Sequence, residues 1–301
     1  MRILHLDAGR EMRGGQWQVL RLIEGLSAAG VDCTLLARRG SLLFDYVRRK
    51  GYRVEDLGLM RTASEARRHD LVHAHDARGH TIGAIVPGSP LVVSRRVAFA
   101  VSRSAASQWK YRRATRYIAV SEYVKSVMMQ AGVRQEKISV VHDGVPILAE
   151  REWQEGPGRV IAPANLSDPQ KGASLAAEAA RIAGVDLEFS TDLEHDLAHA
   201  SLLLYVTHSE GLGSGALLAM SAGVPVVASR VGGLPEVIRD GENGILVDNQ
   251  PEAIALAVRQ LLDNPELARR MGAAARQTVI DRFSVDGMVR RTMEVYRQVL
   301  S

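Results

Sequence analysis

Short apolar runs alternate with amphipathic stretches along the whole chain. Ile3–Asp7, Val31–Ala37, Leu71–His75, Leu91–Ser94, Tyr117–Val120 and Ile138–His142 are too short for core helices and predict buried strands. Between the first two, Val19, Leu20, Ile23 and Leu26 recur at helical spacing, and Gly30 follows as a stop. Ser41 and Ser121 each precede a helical stretch as caps, the second over Glu122–Gln130. Strands alternating with helices predict parallel βαβ units with both sheet faces covered.

Pro146–Gly158 breaks this rhythm with proline, glycine and several glutamates, and predicts a linker. The alternation then resumes. Strands are expected at Arg159–Pro163, Leu187–Phe189, Leu202–Val206, Val224–Ser229 and Gly244–Val247, and helices at Ala173–Ala183, Gly213–Ala222, Pro251–Leu262, Pro265–Val279 and Val285–Leu300. The expected fold class is α/β, with two doubly wound parallel-sheet domains over 1–150 and 151–284 facing a cleft and a terminal helix over 285–301. Ligands are expected at the carboxyl ends of the strands.

Composition narrows the class. Of 301 residues, 46% are hydrophobic and 24% charged, which argues for a folded globular chain. No apolar run approaches the roughly 20 residues that span a bilayer. An acid within the first seven residues predicts no secretory signal, so a cytoplasmic protein is expected. The single cysteine, Cys33, excludes an internal disulfide and a multi-cysteine metal site.

Charge divides unevenly. Residues 1–150 carry 24 Lys+Arg against 14 Asp+Glu, and residues 151–301 carry 14 against 20, so net +10 faces net −6. A basic half attracts phosphates or anionic lipid, although arginine-rich surfaces also occur without such a partner. No zinc finger, RNA-binding signature or basic zipper accompanies the charge, and nucleic acid is not an expected partner. Residues 103–116 interleave Trp109 and Tyr111 with Arg103, Lys110, Arg112, Arg113 and Arg116. That pattern suits either peripheral contact with an anionic membrane or a solvated basic helix.

Three loops carry candidate chemistry. The first runs from Gly9 to Gly14 and Gly15 and enters a helix; it is neither a dinucleotide fingerprint nor a P-loop, but it lets a ligand approach backbone closely. The second is Ser209–Leu218, in which Gly211, Gly213, Ser214 and Gly215 offer backbone N–H groups at a helix start while Glu210 can accept from hydroxyls. A carboxylate beside a phosphate cradle fits a ligand joining a polyol to a phosphate. Val231–Glu236 is a further Gly-rich turn entering a helix. The third loop holds Lys171-Gly172, where a lysine can neutralise a departing diphosphate. His73 and His75 end one strand on the same face, and His75 with Asp76 is the preferred pair near an acceptor. The other histidines are spaced wrongly for a metal site.

These residues together resemble the GT-B-fold retaining glycosyltransferases, specifically glycosyltransferase family 4. Gly14-Gly15, His73-Ala74-His75, Tyr117–Glu122, Ile138–Val145, Lys171-Gly172 and above all Glu210 through Ile238 carry the likeness over nearly the whole chain. The resemblance implies two Rossmann-like domains, acceptor-side then donor-side, with the last helix crossing back onto the first. It implies sugar transfer from a nucleotide-sugar to the hydroxyl of a glycan or lipid-linked acceptor, with retention, without cofactor or metal, in bacterial surface-glycan assembly at the inner face of the membrane. Carried over, Lys171 pairs with the leaving diphosphate, Glu210 holds sugar hydroxyls and Gly211, Leu212, Gly213, Ser214 and Gly215 cradle phosphate. Gly14 and Gly15 meet the donor from the other lobe.

Four departures accompany the likeness. Leu218 stands where the family places a second acid for the donor ribose. Asn165 stands for the arginine that usually precedes the lysine. The stretch between Gly184 and Leu187 is shorter than in the family by about one βα unit. Arg95-Arg96 replaces a histidine near the reacting centre, so these arginines are expected to hold diphosphate or an anionic acceptor. Two alternatives therefore stand beside the transferase: a catalytically weakened glycosyltransferase-like binding subunit, and a GT-B enzyme with a non-nucleotide donor.

Overall fold

Ile3, Leu4 and Leu6 are fully buried, and the strand that carries them lies at the centre of the first sheet. In the computed structural model, which describes residues 1–99, 101–102, 104–151, 153, 158–164 and 168–301, the chain divides into two units. One comprises Met1–Gly144 with Val285–Ser301, the other Val145–Ser284.

The first unit runs β1 (Arg2–Asp7), α1 (Gly14–Ala28), β2 (Asp32–Ala37), α2 (Leu42–Arg49), β3 (Arg53–Asp56), α3 (Leu59–Ala66) and β4 (Leu71–Ala74). It continues with α4 (Ala77–Ile85), β5 (Leu91–Arg95), α5 (Ala105–Arg113), β6 (Arg116–Ala119), α6 (Glu122–Gln130) and β7 (Ile138–Val140). All seven strands are parallel, in the order β3-β2-β1-β4-β5-β6-β7. Ser41 and Ser121 cap α2 and α6 through their hydroxyls, as their residue type predicts. The pair β3 and α3 carries no apolar pattern that announces it: β3 is a sheet edge whose burial never reaches that of its neighbours, so tertiary pairing rather than periodicity makes it a strand.

The second unit runs β8 (Val160–Pro163), α7 (Ala173–Ala183), β9 (Leu187–Ser190), α8 (Leu193–Asp196), β10 (Leu202–Tyr205), α9 (Ser214–Ser221) and β11 (Val226–Ser229). It ends with α10 (Leu234–Val237), β12 (Ile245–Val247), α11 (Pro251–Leu262) and α12 (Pro265–Arg282). Its five strands are parallel, in the order β12-β11-β10-β8-β9. The last helix, α13 (Val285–Leu300), packs on α1 in the first unit, where Val289 and Tyr296 join the core that α1 lays on the sheet. Gly25 in α1 makes this approach possible, since a Cβ there would stand 2.4 Å from Val289 Cγ2.

Both sheets reverse their winding at one place: between β1 and β4 in the first, and between β8 and β10 in the second. Open α/β sheets bind ligands outside the carboxyl ends of the strands at such switch points. No helix among the described residues is long and apolar enough to cross a membrane. Part of the linker expected at Pro146–Gly158 lies outside the described residues.

Candidate functional site

The second unit's switch point gathers three β–α loops. Beyond β8, Pro169–Lys171 forms one 3-10 turn, begun by Asp168, whose carboxylate accepts from Gln170 N–H at 3.0 Å. Gly172 follows in the left-handed region with φ +62, and a Cβ there would stand 2.9 Å from the Val206 carbonyl. Beyond β10, the Thr207 hydroxyl donates to the Gln170 carbonyl at 2.9 Å and His208 N–H donates to the same oxygen at 2.8 Å. The two loops are thus joined. The third loop presses backbone on backbone: a Cβ on Gly232 would lie 1.9 Å from the Glu210 carbonyl oxygen, and one on Gly233 2.1 Å from that of Gly211. The Gly-rich turn at Val231–Glu236 exists to allow this contact.

Glu210 sits where the loops meet. Its Oε2 accepts from Lys171 Nζ and from the Tyr205 hydroxyl, each at 2.9 Å, and its Oε1 accepts from Gly211 N–H at 3.0 Å. Burial, and after it the nearby Glu210 charge, pushes the Tyr205 phenol's pKa well above its usual value. Beside the pair, the outer ends of β8, β9 and β10 and the start of α7 enclose a small solvent-open hollow lined by Lys171, Phe189 and Tyr205. Gly213, at φ +105, begins α9, which has no side-chain cap and no acid in its first turn. An anion is favoured there by the helix dipole and by unsatisfied N–H groups. Gly211, Leu212 and Gly213 are buried and Ser214 partly so, and Leu218 lies one turn into α9, partly buried. Asn165 lies outside the described residues.

The first unit's switch point is built from side chains. His5 and His73 are register partners on β1 and β4, and His75 follows on the same face as His73. His73 lies between the Tyr296 hydroxyl at 2.6 Å and the Ser94 hydroxyl at 2.8 Å. Arg96 donates to Asp143 at 2.9 Å and to His75 Nδ1 at 3.4 Å. A guanidinium only donates, so His75 carries its proton on Nε2 and passes it toward His5 Nδ1, 2.9 Å away. His5 Nε2–H then ends the chain with no hydrogen-bond partner among the described residues. Burial comes first for all three: it lowers His5 to about 3, with His69 and Arg96 adding to it, and holds His73 and His75 well below the usual imidazole range, with the neighbouring histidines and Arg96 adding to it. All three stay neutral near pH 7.

These histidines are the one group of three metal-type side chains among the described residues, with ligand atoms within 4.8 Å of one another. The spacing in sequence gives no sign of it, because strand register creates it. Its donor set does not fit an ion. A ligating imidazole wants an acceptor behind its free N–H, and here His75 is backed by the Arg96 guanidinium.

Several expected acceptor residues turn inward. The Asp76 carboxylate caps α4 by accepting from Gly79 N–H at 2.5 Å and also accepts from Ala8 N–H at 2.6 Å, so it does not pair with His75. Arg95 donates to the Tyr111 hydroxyl at 2.8 Å and to the Phe99 carbonyl, bracing the segment before α5. Gly14 and Gly15 form the first turn of α1, and a Cβ on Gly15 would lie 4.0 Å from Arg96 Cδ. Asp7, not singled out by the sequence pattern, stands at the end of β1, accepts from Gly9 N–H at 2.8 Å, and is pushed up to about 6 by burial and then by Asp76. Its place as an acid ending a strand at a switch point is the signal that marks it. In the basic segment, Lys110, Arg113 and Arg116 fold back on Thr81, Ala84 and Glu136, while Trp109 is about half exposed. Arg103 lies outside the described residues.

Residues 12–147 match the family model described as Glycosyltransferase Family 4, and residues 185–278 match Glycosyl transferases group 1. Over both matches the chain is similar to glycosyltransferases, and its two Rossmann-like α/β units have the GT-B fold. Among relatives, a D-inositol 3-phosphate glycosyltransferase of Streptomyces griseus is 45% identical over 103 residues, 34% of this chain and 22% of that protein. An N-acetyl-alpha-D-glucosaminyl L-malate synthase of Bacillus anthracis is 38% identical over 105 residues, 35% of this chain and 28% of that protein. The chain thus aligns with about a quarter of the length of these curated relatives. Among solved structures, Anabaena Alr3699/HepE in complex with UDP and glucose superposes with TM-score 0.87 at 18% identity, covering 99% of this chain and 100% of that one. Sucrose-phosphate synthase from Thermosynechococcus elongatus gives 0.78 at 16% identity, covering 99% and 98%. At these identities the structures share the GT-B fold.

Proposed function

We propose that this chain transfers a glycosyl group from a nucleotide-sugar donor to an acceptor hydroxyl with retention, in surface-glycan assembly. The observation that carries this reading is the Lys171–Glu210 pair at 2.9 Å beside the uncapped start of α9, at the second unit's switch point. A cation and helix-end amides there suit a diphosphate, and a carboxylate held on both oxygens suits the hydroxyls of the attached sugar. The solved neighbour that holds UDP and glucose supports the same ligand class. Catalysis in this reading is leaving-group stabilisation and positioning; Glu210 orients the sugar and is not a nucleophile, and neither metal nor cofactor takes part.

On the acceptor side this reading uses Arg96, whose guanidinium donates to Asp143 and to His75. Peripheral contact with anionic membrane through residues 103–116 belongs to the same proposal, carried by half-exposed Trp109. Equal co-sedimentation with neutral and anionic vesicles would remove it.

The test is a thermal-shift panel of nucleoside diphosphates followed by a transfer assay. A ligand at a hundred times its dissociation constant adds about 2.7 kcal/mol to stability. The expected result is a shift with one nucleotide, transfer that survives EDTA, and retained anomeric configuration by NMR. Lys171→Ala should lower kcat about 100- to 1000-fold, the scale of losing one preorganised charge stabiliser. One further reading, a weakened glycosyltransferase-like binding subunit, is favoured by Leu218, which brings no carboxylate to α9. Nucleotide binding without transfer to any glycan acceptor would select it.

A further inference from the structure

Lys171 has two claims on it. In the structure its ammonium pairs with Glu210, and in the proposed reaction it meets a diphosphate. A carboxylate that lost its ammonium partner when the donor arrived would need another hold on Oε2 as it became needed for sugar hydroxyls, since Gly211 N–H holds only Oε1. The neighbouring residue answers this difficulty. Tyr205 closes β10 and places its hydroxyl 2.9 Å from the same Glu210 oxygen that Lys171 contacts. The ring cannot shift easily. A Cβ on Gly215 would lie 2.8 Å from Tyr205 Cε2 and 3.5 Å from Leu193 Cδ2, so the absent side chain is the room the ring occupies.

We propose that Tyr205 is a positioning residue that keeps Glu210 aimed at the donor sugar when Lys171 turns to the diphosphate. The proposal rests on the reading of the site given above. A phenol suits the task because it is a neutral donor, uncompeted by the incoming anion, whereas a second ammonium would follow Lys171 to the phosphate. Gly215 serves Tyr205 directly, because a side chain there would meet the ring.

Tyr205→Phe tests this, because it removes one oxygen and leaves the ring under Gly215. Binding of UDP and of UDP-glucose to wild type, Tyr205→Phe and Glu210→Gln is measured by calorimetry, with melting temperatures as a control on folding. In wild type, UDP-glucose should bind more tightly than UDP. In Tyr205→Phe, UDP should bind unchanged, while the advantage of UDP-glucose over UDP shrinks at least fivefold, toward that of Glu210→Gln. A structural role would weaken both ligands together, and that outcome overturns the proposal. So does an unchanged advantage in Tyr205→Phe. Wild type that binds neither ligand, nor any other nucleoside diphosphate and its sugar conjugate, overturns instead the reading of the site, and the proposal falls with it.

Discussion

At the carboxyl edge of the seven-stranded sheet, His5, Asp7, His73, His75 and Arg96 fill the switch point with titratable side chains. At the same edge of the five-stranded sheet, Glu210 and Gly211 meet Gly232 and Gly233 backbone against backbone, and one ion pair stands at the meeting point. The two units share a topology and solve the same packing problem with different material. Side chains that must stay neutral make the first edge sensitive to protons. Carbonyls stacked where a Cβ would go make the second intolerant of a single added carbon.

The largest expected effect lies in the second unit. Gly232→Ala forces a Cβ to 1.9 Å from the Glu210 carbonyl at a φ of +59, which should cost about 3–4 kcal/mol. Chemical denaturation would show it, and a stability within 1 kcal/mol of wild type would mean that the stacked loops open easily.

Acid should act on the first unit instead. In the unfolded chain a histidine takes up a proton near pH 6.5, but His5 and His80 refuse it until about 3 in the fold, both through burial first. The unfolded state then binds more protons, so stability falls as pH falls below 6.5. From pH 6.5 to 5 these two residues alone remove about 3 kcal/mol. Hydrogen exchange at pH 7.5 and 5 should show protection lost in Met1–Gly144 and kept in Val145–Ser284. Equal loss in both units would break the contrast.

Leu218→Glu sharpens the comparison on the donor side. If the ribose of a nucleotide lies over α9, a carboxylate there should add a charge-assisted hydrogen bond of about 1.5–3 kcal/mol, at least tenfold in Kd. Unchanged affinity for every nucleotide would place the ligand elsewhere.

The smallest effect returns to the first unit. Asp7 is pushed up to about 6 in the fold, against a usual value near 4 when unfolded. Here the folded state binds more protons between pH 4 and 6, so stability is lost as pH rises through that window, opposite in sign to the histidines. Asp7→Asn should therefore stabilise the protein by about 1–2 kcal/mol at pH 7.5, less than the full ~3 kcal/mol of the shift because acceptors for Gly9 and Gln16 are weakened. Melting temperatures at pH 7.5 and 4.5 check it: the gain should fade at the lower pH.

Much of this molecule follows from local pattern. Buried strands of a parallel sheet must be apolar on both faces, so Ile3–Asp7 and Leu202–Tyr205 announce themselves. Glycines at strand-to-helix turns are nearly the only residues that allow the close approach seen at Gly172 and Gly213, and Lys171 and Glu210 stand beside them in the chain. Ser41 and Ser121 show the helix starts because capping acts over three residues. What had to wait for the folded chain are relations between distant residues. The polar edge strand β3 is a strand because β2 pairs with it. His5 meets His73 and His75 because β1 and β4 align in one register, which adds a distant histidine to a pair already on one strand face and makes a neutral cluster. Asp76 and Arg95, chosen for their place at strand ends, are drawn inward by backbone groups and by Tyr111 that no spacing rule connects to them. Tyr205 reads as one more core residue of a strand until packing brings its oxygen to Glu210. Hydrophobic period and turn chemistry act within a few residues, whereas burial, protonation and hydrogen-bond partnership depend on what the rest of the chain places alongside.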